Sequence, residues 1–280
     1  MRRRRLALLV VATALSTVPI FAADKFSERD ATITRIVRAG GVLTFDDKKP
    51  SRPPVRLDIT HYAGSDKPSR FDVASLDTVK EVHAVLIHPR ATGIEWVSSL
   101  PNLVELSFRP DRETVMTPHD FHWLDNAKKL EILDASRMPL TDKHMETVAK
   151  LTRLTKLDLS DTDITDEGLA MLKECRQLQS LSVKTTYVTG KGFEQLKALP
   201  KLKIVAIGGN YTTNESASFL IGCSEIEELF ISGDALSDGV LRHLERMPNL
   251  KRLHIKGGPS LASTGSLRRA KPRISISDQH

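Results

Sequence analysis

Apolar residues in the pattern Leu-x-x-Leu-x-Leu begin at Leu130, Leu154, Leu178, Leu202, Ile226 and Leu250, and every step is 24 residues. Upstream, Leu103 opens a frame of 27 residues, Val79 one of 24, and Pro54, with Leu57 and Ile59 in the strand slots, a degenerate one of 25. A short fixed period of this kind constrains the fold more than any other property of the chain. A unit that small cannot bury its own apolar edge, so it must stack on copies of itself.

Within one frame the apolar positions change rhythm. In the frame from Leu154, Leu157 and Leu159 flank Asp158, the alternation of a strand that buries one face. Ile164 follows, and then Leu169, Leu172 and Cys175 at spacings of three, which suit one face of a helix or of a tighter turn. Gly192, Phe193, Leu196 and Leu199 repeat the second half one frame later, and Gly93, Ile94, Val97 and Leu100 repeat it in the frame from Val79. The period therefore switches from two to about 3.6 inside each unit. The expected fold is an α/β solenoid, with parallel strands on an inner face and helices outside. Aromatic residues make up only 5% of the chain, so Leu, Ile and Val must fill most of its interior.

The stretch Thr162-Asp163-Ile164-Thr165-Asp166-Glu167-Gly168-Leu169 resembles the T-x-I-T-D-x-G-L leucine-rich repeats of secreted bacterial proteins, especially of planctomycete type. Leu236-Ser237-Asp238-Gly239-Val240-Leu241 and Leu140-Thr141-Asp142 are partial copies. Similar spacing occurs in the cysteine-containing repeats of F-box adaptors. The resemblance covers roughly residues 54–257 and implies a leucine-rich-repeat solenoid. The frame from Leu103 departs from it by three extra residues within Arg109–Met116. The frame from Leu202 has Thr213-Asn214-Glu215-Ser216 where Thr-Asp-x-Gly is expected.

The ends divide the rest of the chain. Met1 to Arg5 carry four arginines, Leu6 to Ile20 are apolar, and Phe21-Ala22-Ala23 precede Asp24. This reads as a signal peptide over residues 1–23, with a secreted or periplasmic mature chain; the alternative is a membrane anchor over 6–23. Loss of the four arginines takes the net charge from +6 to +2, so no basic surface for nucleic acid is implied. No segment of the mature chain reads as a membrane span. Residues 24–53 are expected to cap the stack, with a helix over 27–39 ended by Gly40-Gly41, and a strand at Val42-Leu43-Thr44-Phe45. Past Gly258 the helical half fades, and 258–280 reads as a degenerate cap or tail.

Cys175 and Cys223 both lie 21 residues into their frames, two coils apart. Equivalent points two strands away are about 10 Å apart, too far for a disulfide, which needs Cα atoms within about 7 Å. Two buried, unpaired thiols are expected. Thr162, Thr186, Asn210 and Asp234 share one slot, where a polar side chain can satisfy the turning backbone. His119-Asp120-Phe121-His122 has histidines at a metal-ligand spacing, but Phe121 and Trp123-Leu124 fall in apolar slots and no third ligand follows. Gly208-Gly209 and Gly257-Gly258 follow strands without a phosphate-binding pattern and read as turn residues. No nucleophile elbow or zinc-binding helix motif is present, so no catalytic residue, metal or cofactor is assigned.

The concave face is the candidate site. The outward row four places into successive frames is Asp58, His83, Ser107, Asp134, Asp158, Ser182, Ala206, Phe230 and His254. The row two places in is Arg56, Glu81, Glu105, Ile132, Lys156, Ser180, Ile204, Glu228 and Arg252. Phe230, an aromatic where solvent is expected, has His254, Arg252, Glu228 and Ile204 around it, the composition of a binding hot spot. Asp134 and Asp158, on adjacent strands, form a second patch. The expected function is a non-catalytic scaffold that docks a protein, or a glycan-bearing surface, on this face. The alternatives are an intracellular F-box-like substrate adaptor and an enzyme inhibitor or enzyme.

Overall fold

The computed structural model describes residues 42–45, 48, 54–59, 82–87, 97–98, 100–109, 118–257, 259 and 261–278. The expected signal peptide, the helix over 27–39 and most of the extra residues after Arg109 lie outside the described residues. Among the described residues eleven strands form one sheet in chain order: β1 (Val42–Phe45), β2 (Pro54–Ile59), β3 (Ala84–Ile87), β4 (Glu105–Phe108), β5 (Ile132–Asp134), β6 (Lys156–Asp158), β7 (Ser180–Lys184), β8 (Ile204–Gly208), β9 (Glu228–Ser232), β10 (Arg252–Lys256) and β11 (Ser275–Asp278). Among the described residues β2 to β11 run parallel, and only β1 pairs antiparallel, across the outer edge of β2. An antiparallel hairpin there pairs the edge that the first parallel coil would otherwise leave open.

The strand slots stand in register. Leu106, Leu133, Leu157, Leu181, Val205, Leu229 and Leu253 are consecutive partners across β4 to β10, and all are buried. A backbone ladder ties coil to coil beneath them. The Glu131 carbonyl accepts from Thr155 N–H at 2.7 Å, Thr155 from Gln179 at 2.8 Å, Gln179 from Lys203 at 2.9 Å and Lys203 from Glu227 at 2.8 Å. Each coil therefore has its leucine row and its hydrogen bonds completed by its neighbours.

One register differs from expectation. In β3 the partners of Arg56 and Asp58 are Ala84 and Leu86, not Glu81 and His83. The coil opens at the buried Val82, and the next frame at Leu103 follows after 21 residues. The spacing of Gly93, Ile94, Val97 and Leu100 misled because this coil is shortened by three residues. Ala84 in the row also lets Arg56 reach across it to Glu105, at 3.6 Å.

The outer half of each coil is short. α-Helical turns at Asp142–Val148, Asp166–Ala170, Gly190–Glu194, Asn214–Phe219 and Gly239–Glu245 are mostly followed by a 3₁₀ turn. Helices of five to seven residues are too short to stand alone; their buried faces, such as Leu169, Leu172 and Cys175, hold them on the stack. The Thr-Asp of the repeat motif explains their alignment. The N–H and hydroxyl of Thr165 donate to the Asp142 carboxylate of the preceding coil at 2.9 and 2.7 Å. Thr189 does the same to Asp166 at 2.7 and 2.6 Å. Asn214 and Ser237 make the same link with an amide, at 2.9 and 2.6 Å. Gly190 has no carboxylate to offer the next coil, and there Thr213 turns instead to its own Ser216 in a capping box.

This staple also accounts for the glycine of the motif. A Cβ on Gly168 would stand 2.3 Å from Asp142 Oδ1, and one on Gly192 2.3 Å from Asp166 Oδ1. Arg137, Asp161, Thr185, Gly209 and Gly257 occupy the turn after the strand with positive φ. Gly209 and Gly257 thus have the turn role read from the sequence. In the next slot, Thr162 and Thr186 donate to the Leu159 and Val183 carbonyls at 2.6 and 2.9 Å, whereas Asn210 and Asp234 are exposed. Phe121 and Leu124 are fully buried, Trp123 half-buried and His122 exposed.

Both cysteines are free and buried, with Leu199 filling the equivalent slot of the coil between them. Burial pushes each thiol up to about 11. The residues past 258 hold more structure than their composition suggests. Leu261–Thr264 and Gly265–Ala270 form helical turns, and β11 pairs in parallel with β10. Buried Leu267 and Ile274 supply the apolar contacts of this last coil.

Gly168→Ala is expected to cost about 1–3 kcal/mol by overpacking, and less in an Asp142→Ala background; a double-mutant cycle in urea checks this. The native protein should react with a thiol reagent at pH 8 far more slowly than the urea-unfolded chain, which exposes two thiols; a stopped-flow titration of released chromophore measures both.

Candidate functional site

On the concave side the rows of β7 to β11 place a compact group of side chains. Phe230 and His254, neighbours in register, lie ring to ring at 4.1 Å with only 7° between their planes. Glu228 braces the pair from the row below. Its carboxylate accepts from Arg252 Nη2 at 2.6 Å and meets His254 Nε2 at 2.9 Å. A carboxylate offers only lone pairs, so Nε2 carries the proton in this contact. His254 Nδ1 in turn lies 2.7 Å from the Ser277 hydroxyl on β11. The Arg252 hydrogen bond holds the Glu228 carboxyl below its usual range, against its partial burial and with help from His254.

Arg252 is therefore engaged by Glu228 instead of standing free beside Phe230. Ile204, half-buried, is the in-register partner of Glu228 and borders the group on β8. At the outer end of the strands Glu227 bridges Lys203 and Lys251 at 2.9 and 2.7 Å, which pulls its carboxyl down to about 2.

The second patch has three of its four carboxylate oxygens hydrogen-bonded within the protein. Asp134 Oδ1 accepts from the N–H and hydroxyl of Ser136 at 3.2 and 2.7 Å, and Oδ2 from Arg109 at 3.0 Å. Asp158 Oδ1 accepts from Ser160 N–H at 2.9 Å. The structure brings members of the two patches to one cleft. Phe230, His254 and Asp158 line a single cleft of about 670 Å³, with Arg109, Lys184 and Lys256 on its walls. Ile204, Glu228, Arg252 and Asp134 are not in its lining. Curvature of the sheet joins residues of β4 and β10, which are six strands apart along the stack.

Eleven strands in chain order, ten of them parallel, with the leucine slot in register and a helical return in nearly every coil, decide the architecture. The chain is a leucine-rich-repeat solenoid. Residues 150–173 match the family described as leucine-rich repeat. No curated protein matches the chain. Among solved structures it is similar to a leucine-rich-repeat protein of Leptospira interrogans, at 13% identity and a TM-score of 0.47, over 73% of this chain and 56% of that one. It is also similar to an internalin of Listeria monocytogenes, at 15% identity and a TM-score of 0.44, over 75% of this chain and 72% of that one. The ectodomain of the Arabidopsis receptor kinase HAESA is 16% identical with a TM-score of 0.49, over 90% of this chain and 41% of that one. The solenoid thus spans about half the length of the Leptospira protein and less than half of the HAESA ectodomain.

Sequence reasoning found the rows of the repeat but not every member of the group. Ser277 was hidden because the last coil is one residue shorter between Ile274 and β11 than its predecessors. Phe108 and Arg137, also on the cleft wall, lie far from Phe230 in sequence and reach it only through curvature.

Because Glu228 has a depressed pKa in the folded state, its contribution to stability is complete above the ordinary Glu range, near pH 4.3. It is lost as pH falls through the depressed value. The urea midpoint of the wild-type chain should exceed that of Glu228→Gln at pH 6, and the gap should close on acidification; a series of denaturation curves between pH 6 and pH 2 measures it.

Proposed function

We propose that this protein is a non-catalytic binding scaffold that docks a partner protein on its concave face. The observation that carries the reading is the contrast between the two sides of each strand. The core-facing slots repeat leucine or its equivalents from coil to coil, while the concave-face row runs Ser182, Ala206, Phe230, His254. Stability is thereby separated from recognition. Phe230 stays half-buried in a cleft, stacked and braced, so little side-chain entropy remains to be lost on binding. Such a pre-ordered aromatic is the usual anchor of a protein interface.

The arginine-led, apolar N-terminus supports export, with a secreted or periplasmic mature chain of residues 24–280. Among the described residues no helix is long and apolar enough to cross a membrane.

Partner capture by the mature chain tests the reading. Phe230→Ala should weaken capture of a given partner by about tenfold or more, the loss expected of a hot-spot residue. Arg252→Glu should also weaken it, by unseating Glu228 and His254, and Lys173→Glu on the opposite, helical side should have no effect. Capture that survives both concave changes and fails with Lys173→Glu would place the interface on the wrong side and overturn the proposal.

A further inference from the structure

The cleft has an imbalance of charge that points to the chemistry of its occupant. Two acids outside its lining are engaged: Asp134 by Arg109, and Glu228 by Arg252 and His254. Lys184 and Lys256 are exposed on the cleft wall and make no ion pair among the described residues. They occupy one row, in the register Lys184, Gly208, Ser232, Lys256. Three strand spacings separate them, about 14 Å.

Between the two lysines stands an apolar ring with one face open. Phe230 is covered on one side by His254. Its in-register neighbour on the other side is Ala206, followed by Ser182. A methyl group covers little of a phenyl ring, while over Gly208 the Ser232 hydroxyl stands where a side chain would be, 2.1 Å from an added Cβ. The result is a slot with Phe230 as its aromatic wall, the Ser232 hydroxyl beside it, and at each end a lysine that makes no ion pair among the described residues. Asp158 and Asp161 also line the cleft, towards β6. They oppose a continuous polyanion, which would set charge against them, but tolerate a ligand with separate, well-spaced charges.

We propose that this slot binds a short acidic peptide segment of the partner in extended form, with two carboxylates about four residues apart and an aromatic side chain between them. The spacing follows from geometry, because an extended chain advances about 3.3–3.6 Å per residue, so four residues span the distance between the lysines. The aromatic side chain stacks on the open face of Phe230, and each carboxylate meets one lysine. This inference rests on the concave-face docking reading and adds the identity of the docked element.

The test uses the mature chain and a fluorescein-labelled peptide, Gly-Glu-Ala-Trp-Ala-Glu-Gly, followed by fluorescence anisotropy. Saturable binding that weakens with added salt is expected. Lys184→Glu and Lys256→Glu should each raise Kd about five- to tenfold, since an attraction becomes a repulsion, with thermal melts showing the fold retained. Replacing the peptide's Trp by Ala should weaken binding to the wild-type chain, and to a much smaller degree in Ala206→Leu, where the ring face is already covered. A peptide with both Glu changed to Gln should bind the wild-type and lysine variants alike. Equal affinity of the acidic peptide for wild-type and both lysine variants would overturn the proposal. So would lysine-dependent binding of a trigalacturonate in place of the peptide, which would make the occupant an acidic glycan. If the peptide fails while Phe230→Ala still abolishes partner capture, the concave interface stands and only its occupant is wrong. If the peptide binds while capture ignores Phe230, the docking reading fails instead.

Discussion

No coil of this protein can bury its leucines by itself. The Leu157 of one turn is covered because Leu133 and Leu181 stand beside it on neighbouring strands. The same neighbours complete its backbone, since the carbonyl of each coil accepts from the next. Apolar burial and backbone satisfaction are met by one contact between repeats, so the structure behaves as a line of nearest-neighbour interfaces. The ends follow from this constraint. β1 turns back antiparallel at one edge, and a shortened final coil extends the sheet at the other.

The Thr-Asp-x-Gly motif acts at the same interface, on the outer side of the coil. The carboxylate of Asp142 or Asp166 reaches forward to cap a threonine in the next repeat and in doing so lies across a glycine of that repeat. Aspartate, threonine and glycine are therefore one device spread over two coils. Gly190 shows the rule by breaking it: with no carboxylate there, the following coil uses a serine inside its own capping box, and the serine takes the place where the glycine would be. A residue that looks like a helix cap within one repeat is in fact half of an inter-repeat bond.

On the inner side the same scaffold leaves its outward positions free to vary. What gathers there is a braced aromatic pair, the ion-paired acids Asp134 and Glu228, and two lysines that make no ion pair among the described residues. The bracing matters as much as the composition. Glu228 is tied to Arg252 and His254, and His254 to Ser277, so Phe230 is held in place by residues of three strands before any ligand arrives. Beyond those pairings the cleft holds Lys184 and Lys256 towards the two ends of the ring and the carboxylate of Asp158 towards β6.

The 24-residue period by itself determined the solenoid, the parallel sheet, the buried leucine row, the free thiols and the facing of Phe230, His254, Asp134 and Asp158 onto one surface. These are properties of equivalence between repeats, and equivalence is written in spacing. The period could also mislead where it slipped. The coil that opens at Val82 is short by three residues, and its register was settled by burial of Val82 and the pairing of Ala84 with Arg56 and Glu105. Which side chains neutralise one another, that Arg252 is engaged by Glu228, that Ser277 reaches His254, and that curvature closes Phe108 and Phe230 onto one cleft were decided only by the tertiary structure. A repeat period specifies which residues are neighbours along the stack, but not how rotamers choose among those neighbours or how far the sheet bends. Both depend on distances across several coils at once.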